Sequence, residues 1–153
     1  MKTISTPARV IAFLGALLLA GCAAPPATAP RAGLDRIQHI VVIYALSGDT
    51  HIANLVAKIK ASPLWTSTVI IVTYDENGGF WDHAAPPKGD RWGPGSRIPA
   101  IVVSPFAKKS YVDHTPYDTT SIIKFITLRF GLEPLPGVRA EVGDLTAALD
   151  LAR

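Results

Sequence analysis

Val69-Ile70-Ile71-Val72-Thr73-Tyr74 runs directly into Asp75-Glu76-Asn77-Gly78-Gly79, and the reading of the fold starts from this junction. A short, unbroken run of β-branched residues bounded by turn residues is the pattern of a strand buried on both faces. Upstream, Ile40-Val41-Val42-Ile43-Tyr44 repeats the pattern. Between the two, Asp49 or Thr50 can cap a helix whose apolar stripe is Ile52, Leu55, Val56 and Ile59. Ser62-Pro63 stops that helix. Downstream, Ile98 to Ser104 predicts a third strand, closed by Pro105. A helix is expected from about Thr119 to Phe130, with Ile122, Ile123, Ile126 and Phe130 on one face and Gly131 as its stop. Asp144 is expected to cap a last short helix. This order predicts an α/β domain over residues 34–153, with a mainly parallel sheet flanked by helices. No internal repeat is present.

The chain has 153 residues, 48% hydrophobic and 18% charged, which suits one globular domain. Its first residues read separately. Lys2 and Arg9 form a positive start, and Val10 to Leu19 form an apolar run broken by Gly15. A membrane span needs about 20 apolar residues, so this run predicts a cleaved leader over residues 1–21. Leu19-Ala20-Gly21-Cys22 has the form of a bacterial lipobox, with small residues before the scissile bond and a thiol to take the lipid. The alternatives are a plain secretory signal or a short helical anchor. Cys22 is the sole cysteine, so no intrachain disulfide is possible. Residues 22–33, with Pro25, Pro26 and Pro30, read as a lipidated flexible tether. The expected location is the bacterial cell envelope, lipid-anchored and facing the periplasm or the exterior. Subtracting Lys2 and Arg9 from the net charge of +3 leaves +1. A charge so near balance calls for neither a nucleic-acid nor an acidic-membrane partner.

In parallel sheets ligand groups collect beyond the C-terminal ends of strands, which directs attention to Tyr74 through His83. Asp75 and Glu76 supply carboxylate oxygen, the donor that hard divalent cations prefer. The imidazole of His83 admits zinc or iron as well. Gly78 and Gly79 permit a sharp turn beneath a ligand. The competing reading is a solvated acidic turn, with Phe80 and Trp81 plugging the edge of the core.

Longer motifs carry a resemblance. The block Val72-Thr73-Tyr74-Asp75-Glu76-Asn77-Gly78-Gly79-Phe80-Trp81-Asp82-His83 is followed by Trp92-Gly93-Pro94-Gly95, Arg97-Ile98-Pro99-Ala100 and Ser104-Pro105-Phe106-Ala107. Tyr111-Val112-Asp113-His114-Thr115, Tyr117-Asp118-Thr119-Thr120-Ser121-Ile122 and Gly143-Asp144-Leu145-Thr146 continue it. Together these resemble the bacterial phosphoesterase family of acid phosphatases and phospholipases C, within the alkaline-phosphatase-like superfamily. Ser47-Gly48-Asp49-Thr50-His51-Ile52-Ala53 is most similar to the acid phosphatase branch. The resemblance implies a fragment of an alkaline-phosphatase-like fold, a divalent metal of unspecified identity, and a phosphate monoester or phospholipid head group as substrate. It implies Asp75 and Glu76 as metal ligands and His51 as a catalytic group beside the phosphoryl oxygens. It also implies Asn77, His83 and His114 as substrate-binding residues. Against those roles, His83 could simply pair with Asp82, and His114 could cap the turn before the last long helix. His39, at a strand start, reads as structural.

The chain also departs from the family it resembles. Members are much longer, and their first strand is followed at once by a Glu-Asn-Arg-Ser-Phe-type segment supplying metal ligands. Here Tyr44-Ala45 runs straight into Leu46-Ser47-Gly48-Asp49, which resembles a region far downstream. The intervening portion, with the usual Ser/Thr nucleophile, is missing, as an internal deletion at Ala45–Leu46 would produce. Ser47, Thr73 and Ser104 do not sit in the nucleophile motif. The expectation is therefore an impaired phosphoesterase. Two other classes compete with it, a non-catalytic cation- or phosphate-binding lipoprotein and a remnant without function whose bare strand edges promote aggregation.

Overall fold

The computed structural model describes residues 32–44, 49–74, 82–89, 91 and 93–152. The leader, Cys22, Ser47, Asp75, Glu76 and Asn77 lie outside them. The centre of the fold is β2 (Thr68–Thr73), in which every residue is buried. β1 (His39–Tyr44) pairs parallel along one side of it, with Ile40 opposite Val69 and Tyr44 opposite Thr73. β3 (Ala100–Val103) pairs antiparallel along the other, with Thr73 opposite Ala100 and Ile70 opposite Val103.

Side chains alternate across a strand, and the alternation builds two cores. Val69 and Ile71 face the same way as Ile40, where Leu34, Ile37, Phe106, Ile122, Phe125, Leu145 and Leu149 cover them. Ile70 and Val72 face the other way, with Val41 and Ile43, against Ile52, Val56, Ile59 and Trp65. Ile52, Val56 and Ile59 of the second group come from the expected apolar stripe of α1 (Asp49–Lys60), and Trp65 from the turn after it. The helix ends as expected: the Ser62 hydroxyl donates to the Ile59 carbonyl at 2.8 Å, and Pro63 opens a 3-10 turn to Ser67.

α2 (Thr120–Phe130) covers the first face. Asp118 caps it, its carboxylate accepting the Thr120 amide at 2.8 Å. Gly131, at φ 61°, supplies the left-handed stop, and the Leu132 amide donates to the Thr127 carbonyl. At the far end the Arg129 guanidinium donates to the carbonyls of Ile37 and Asp35, just ahead of β1. α2 therefore runs opposite to β1 and β2. Lys124 spans from mid-helix to the carbonyls of Ala140 and Val142 at 2.8 and 2.7 Å, fastening the C-terminal segment to the helix. Asp144 accepts the Thr146 amide at the start of the short 3-10 turn Thr146–Ala148. Gly143 is required there by proximity, because a Cβ would lie 2.4 Å from the Tyr117 ring.

Two expectations are corrected. The three described strands form a mixed sheet, one pair parallel and one antiparallel, rather than a mainly parallel one. A parallel third strand needs a crossover, usually a helix. The connection from Thr73 to Ala100 instead returns to the edge it left, and none of its described residues is helical. The buried face of α2 is centred on Ser121, Ile122 and Phe125, whereas Ile123 is 37% exposed. Helices flanking both faces of an α/β sheet are as expected.

Candidate functional site

The parallel pair ends at Tyr44 and Thr73, and β3 begins beside them at Ala100, so one edge of the sheet gathers all three termini. The first turn of α1 opens at this edge, and the antiparallel run of α2 brings its N-terminus to the same end. Helix N-termini carry partial positive charge and free amides, which suit an anion such as phosphate. At α2 that capacity is already taken by the carboxylate of Asp118. Burial alone would raise the Asp118 pKa, but hydrogen bonds from Thr120 and Arg139 more than offset it, and it lies below its ordinary value.

His51 stands exposed in the first turn of α1, at the site edge. His83 is also exposed, its Nδ1 3.9 Å from Asp82. That distance makes it a minor partner. The carboxylate of Asp82 belongs to Arg97, which donates from Nη2 at 2.8 Å, from Nε at 3.0 Å and from its own amide at 3.2 Å. The Ala84 amide adds a fourth bond at 3.0 Å. The Arg97 guanidinium, first among these donors, holds the Asp82 carboxyl well below the usual carboxylate range. His114 is exposed, and the turn before α2 is organised by its neighbours instead. Asp113 accepts the Thr115 amide at 3.0 Å and the Tyr117 hydroxyl at 2.7 Å. Burial first, then the bond to Asp113, push the Tyr117 pKa up to about 12. His39 opens β1 with a buried Nδ1 that has no hydrogen-bond partner among the described residues.

Sequence reasoning missed the Asp82–Arg97 pair. Fourteen residues lie between the two, and no periodic pattern links them. The pair matters because it ties Asp82 to the stretch that leads into β3. At one end of residues 75–81, the Thr73 hydroxyl donates to the Pro99 carbonyl at 3.1 Å; at the other, Asp82 is held by Arg97. Arg97 and Pro99 are two residues apart, so their Cα atoms are at most about 7 Å apart. Both ends of the segment are thus fastened to one short stretch leading into β3. Removing the clasp with Asp82→Ala is expected to speed amide exchange at Ala84 and Arg97, measured by NMR; unchanged exchange would refute it. The sign with pH follows from the depressed pKa. The stabilisation from the clasp is fully present above the ordinary carboxylate value of 3.8 and is lost as pH falls from there through the depressed folded-state value, where Asp82 itself takes up a proton. Arg97 is 65% exposed, so solvent screening keeps the gain in overall stability small.

Two hydroxyls raised by the sequence have structural duties. Thr73 is tied to Pro99 as above, and Ser104 donates to the Thr68 carbonyl at 2.8 Å, at the opposite end of the sheet. Among the described residues, no three of His, Cys, Asp and Glu come together as a metal-binding group. The carboxylates of Asp75 and Glu76 suit a hard cation in chemistry, but two residues do not fill a shell of six or more oxygens. The donor set fits such a cation only in part.

A mixed sheet with helices on both faces, and with strand termini and an exposed histidine at one edge, defines an α/β domain. The chain belongs to the phosphoesterase family, whose model matches residues 35–133. It is 36% identical over 129 aligned residues to a non-hemolytic phospholipase C of Pseudomonas aeruginosa, covering 61% of this chain and 19% of that protein. It is 35% identical over 117 residues to phospholipase C B of Mycobacterium tuberculosis, covering 58% and 22%. It is 31% identical over 143 residues to phospholipase C A of the same organism, covering 75% and 27%. The chain therefore spans only about a fifth to a quarter of the length of these relatives.

Proposed function

We propose that this chain is a phosphoesterase-family hydrolase of phosphate esters, acid-phosphatase-like in its site, whose turnover is impaired by loss of an internal segment. Asp75 and Glu76 are its metal carboxylates, and His51 is the group beside the phosphoryl oxygens. Asn77, His83 and His114 serve substrate binding. The observation that carries this reading is the single edge at which β1, β2 and α1 meet, with His51 on it and β2 leading into Asp75. A divalent cation bound there supplies charge neutralisation at phosphoryl oxygens. His51, exposed and near its helix N-terminus, is placed to bind those oxygens or to give a proton to the departing alkoxide.

The impairment follows from what stands between β1 and α1. Tyr44 ends the strand and Asp49 begins the helix, leaving Ala45 to Gly48 where the resemblance expects a ligand segment and a long insertion. Isothermal calorimetry with zinc, calcium and magnesium tests the remaining cation site. Weak binding is expected, and Asp75→Ala/Glu76→Ala is expected to abolish it. Equal binding by the two proteins would overturn the assignment.

The same reading places the protein at the cell envelope through a lipid on Cys22. No described helix is long and apolar enough to cross a membrane. Labelling with radioactive palmitate is expected in the native chain and absent in Cys22→Ser; labelling that survives the substitution would refute the anchor.

A further inference from the structure

We infer that Arg97 is a phosphate-binding residue of the candidate edge, acting with His83 on one phosphate group of the ester. The inference rests on the reading of this edge as a phosphate-ester site, and it adds a side chain to which the resemblance gives no role.

A guanidinium carries five N–H groups in one plane. Asp82 takes the Nε–Nη2 side of Arg97, at 3.0 and 2.8 Å. The other side, formed by Nη1 and the second hydrogen of Nη2, makes no hydrogen bond among the described residues. The side chain is 65% exposed, so that side is open to solvent. It presents two parallel N–H donors, the fork that matches two oxygens of a phosphate. A loose arginine loses much side-chain freedom on binding an anion. This one is held in advance by the carboxylate, which also accepts the Arg97 amide at 3.2 Å.

His83 supplies the second prong. The Asp82 oxygen that accepts Nη2 also accepts the Ala84 amide at 3.0 Å, so His83 is the middle residue of a turn closed by that carboxylate. The His83 ring is 78% exposed, with Nδ1 3.9 Å from the same oxygen. Nδ1 of His83 and Nη2 of Arg97 are therefore at most about 7 Å apart, which one phosphate spans when each donor sits about 2.8 Å from an oxygen. The backbone fixes both at the candidate edge. Two residues after Arg97, the Pro99 carbonyl accepts the Thr73 hydroxyl, and Ala100 pairs with Thr73 at the end of β2.

The recognition is directional and owes little to net charge. Asp82 cancels the charge of Arg97, and residues 82–97 as a whole hold Lys88, Arg91 and Arg97 against Asp82 and Asp90. Asp75 and Glu76 precede them in the chain and oppose an anion until a cation covers them. Phosphate is accordingly expected to bind the metal-free chain in the millimolar range.

The test is an NMR titration of the full chain with inorganic phosphate, in EDTA and at fixed ionic strength. The Arg97 Nε–H and His83 ring signals should shift saturably, and at least as strongly in Asp75→Ala/Glu76→Ala. Arg97→Gln and Arg97→Lys should each weaken phosphate about ten-fold or more, because hydrogen bonds to a charged group are lost in both. Lysine keeps the charge without the fork, so it separates the two contributions. Amide signals of Thr68 to Thr73 report whether the variants keep the sheet; if they do not, the titration of the native chain decides alone. Arg97 and His83 signals that stay still at phosphate well above the millimolar range would overturn the inference. Equal shifts with chloride would do the same, as would undiminished binding by a folded Arg97→Lys. The cation reading is judged apart from this one. Absence of divalent binding in calorimetry leaves the phosphate result standing, whereas divalent binding with no shift at Arg97 sinks this inference alone.

Discussion

The full chain, given p-nitrophenyl phosphate or a phosphatidylcholine analogue at acid and neutral pH with several divalent cations, is expected to turn over slower than about 1 per second, the low end of ordinary enzymes. A hydroxyl attacks phosphorus only when a base or a metal lowers its pKa, so nucleophile and activator work as a unit. Removing both from one site is not additive damage to a working enzyme. The structure narrows the substitutes. Thr73 is committed to Pro99, and Ser104 lies at the wrong end of the sheet, bonded to Thr68. Ser47 remains as the hydroxyl to test. Turnover above that rate, lost in Ser47→Ala, would show that this serine had taken over the attack and that the impairment is wrong. Turnover lost in Asp75→Ala but kept in Ser47→Ala would refute the impairment too, and would point to attack by water.

Phe125→Ala is expected to cost about 3–5 kcal/mol, a large part of the 5–15 kcal/mol that holds a typical domain together. Phe125 is 1% exposed and is the largest of the fully buried side chains among the described residues. It sits in the cluster that joins α2 to Val69 and Ile71 of the central strand and to Leu145 and Leu149 of the C-terminal segment. Truncation removes the apolar contact and leaves a cavity between elements that the backbone ties of Arg129 and Lys124 hold apart. Urea unfolding should show a lower midpoint with an unchanged slope. Ile123→Ala, two residues away and 37% exposed, is the contrast and should cost well under half as much. Equal losses at the two positions would mean that α2 is rotated from the orientation described.

Local pattern was enough for the strands of the parallel pair. β1 and β2 are runs of β-branched residues, the pattern expected of strands buried on both faces; β2 is buried throughout, whereas β1 lies at the edge of the described sheet with only Ile40 fully buried. The α1 stripe, the Pro63 stop, the Gly131 stop and the cap at Asp144 were legible for the same reason, since each depends on residues within one or two turns of chain. The motif resemblance also came from residues alone, and the family match bears it out. What the sequence left undecided depends on partners distant in the chain. The direction of β3 is set by the connection returning to the edge beside Thr73, which the strand's own composition does not record. Phe125 rather than Ile123 is buried because the sheet and the C-terminal segment select one arc of α2, and a helix apolar over much of its circumference does not declare that arc. The grip of Arg97 on Asp82 joins two charged residues that only the folded chain brings within hydrogen-bonding distance.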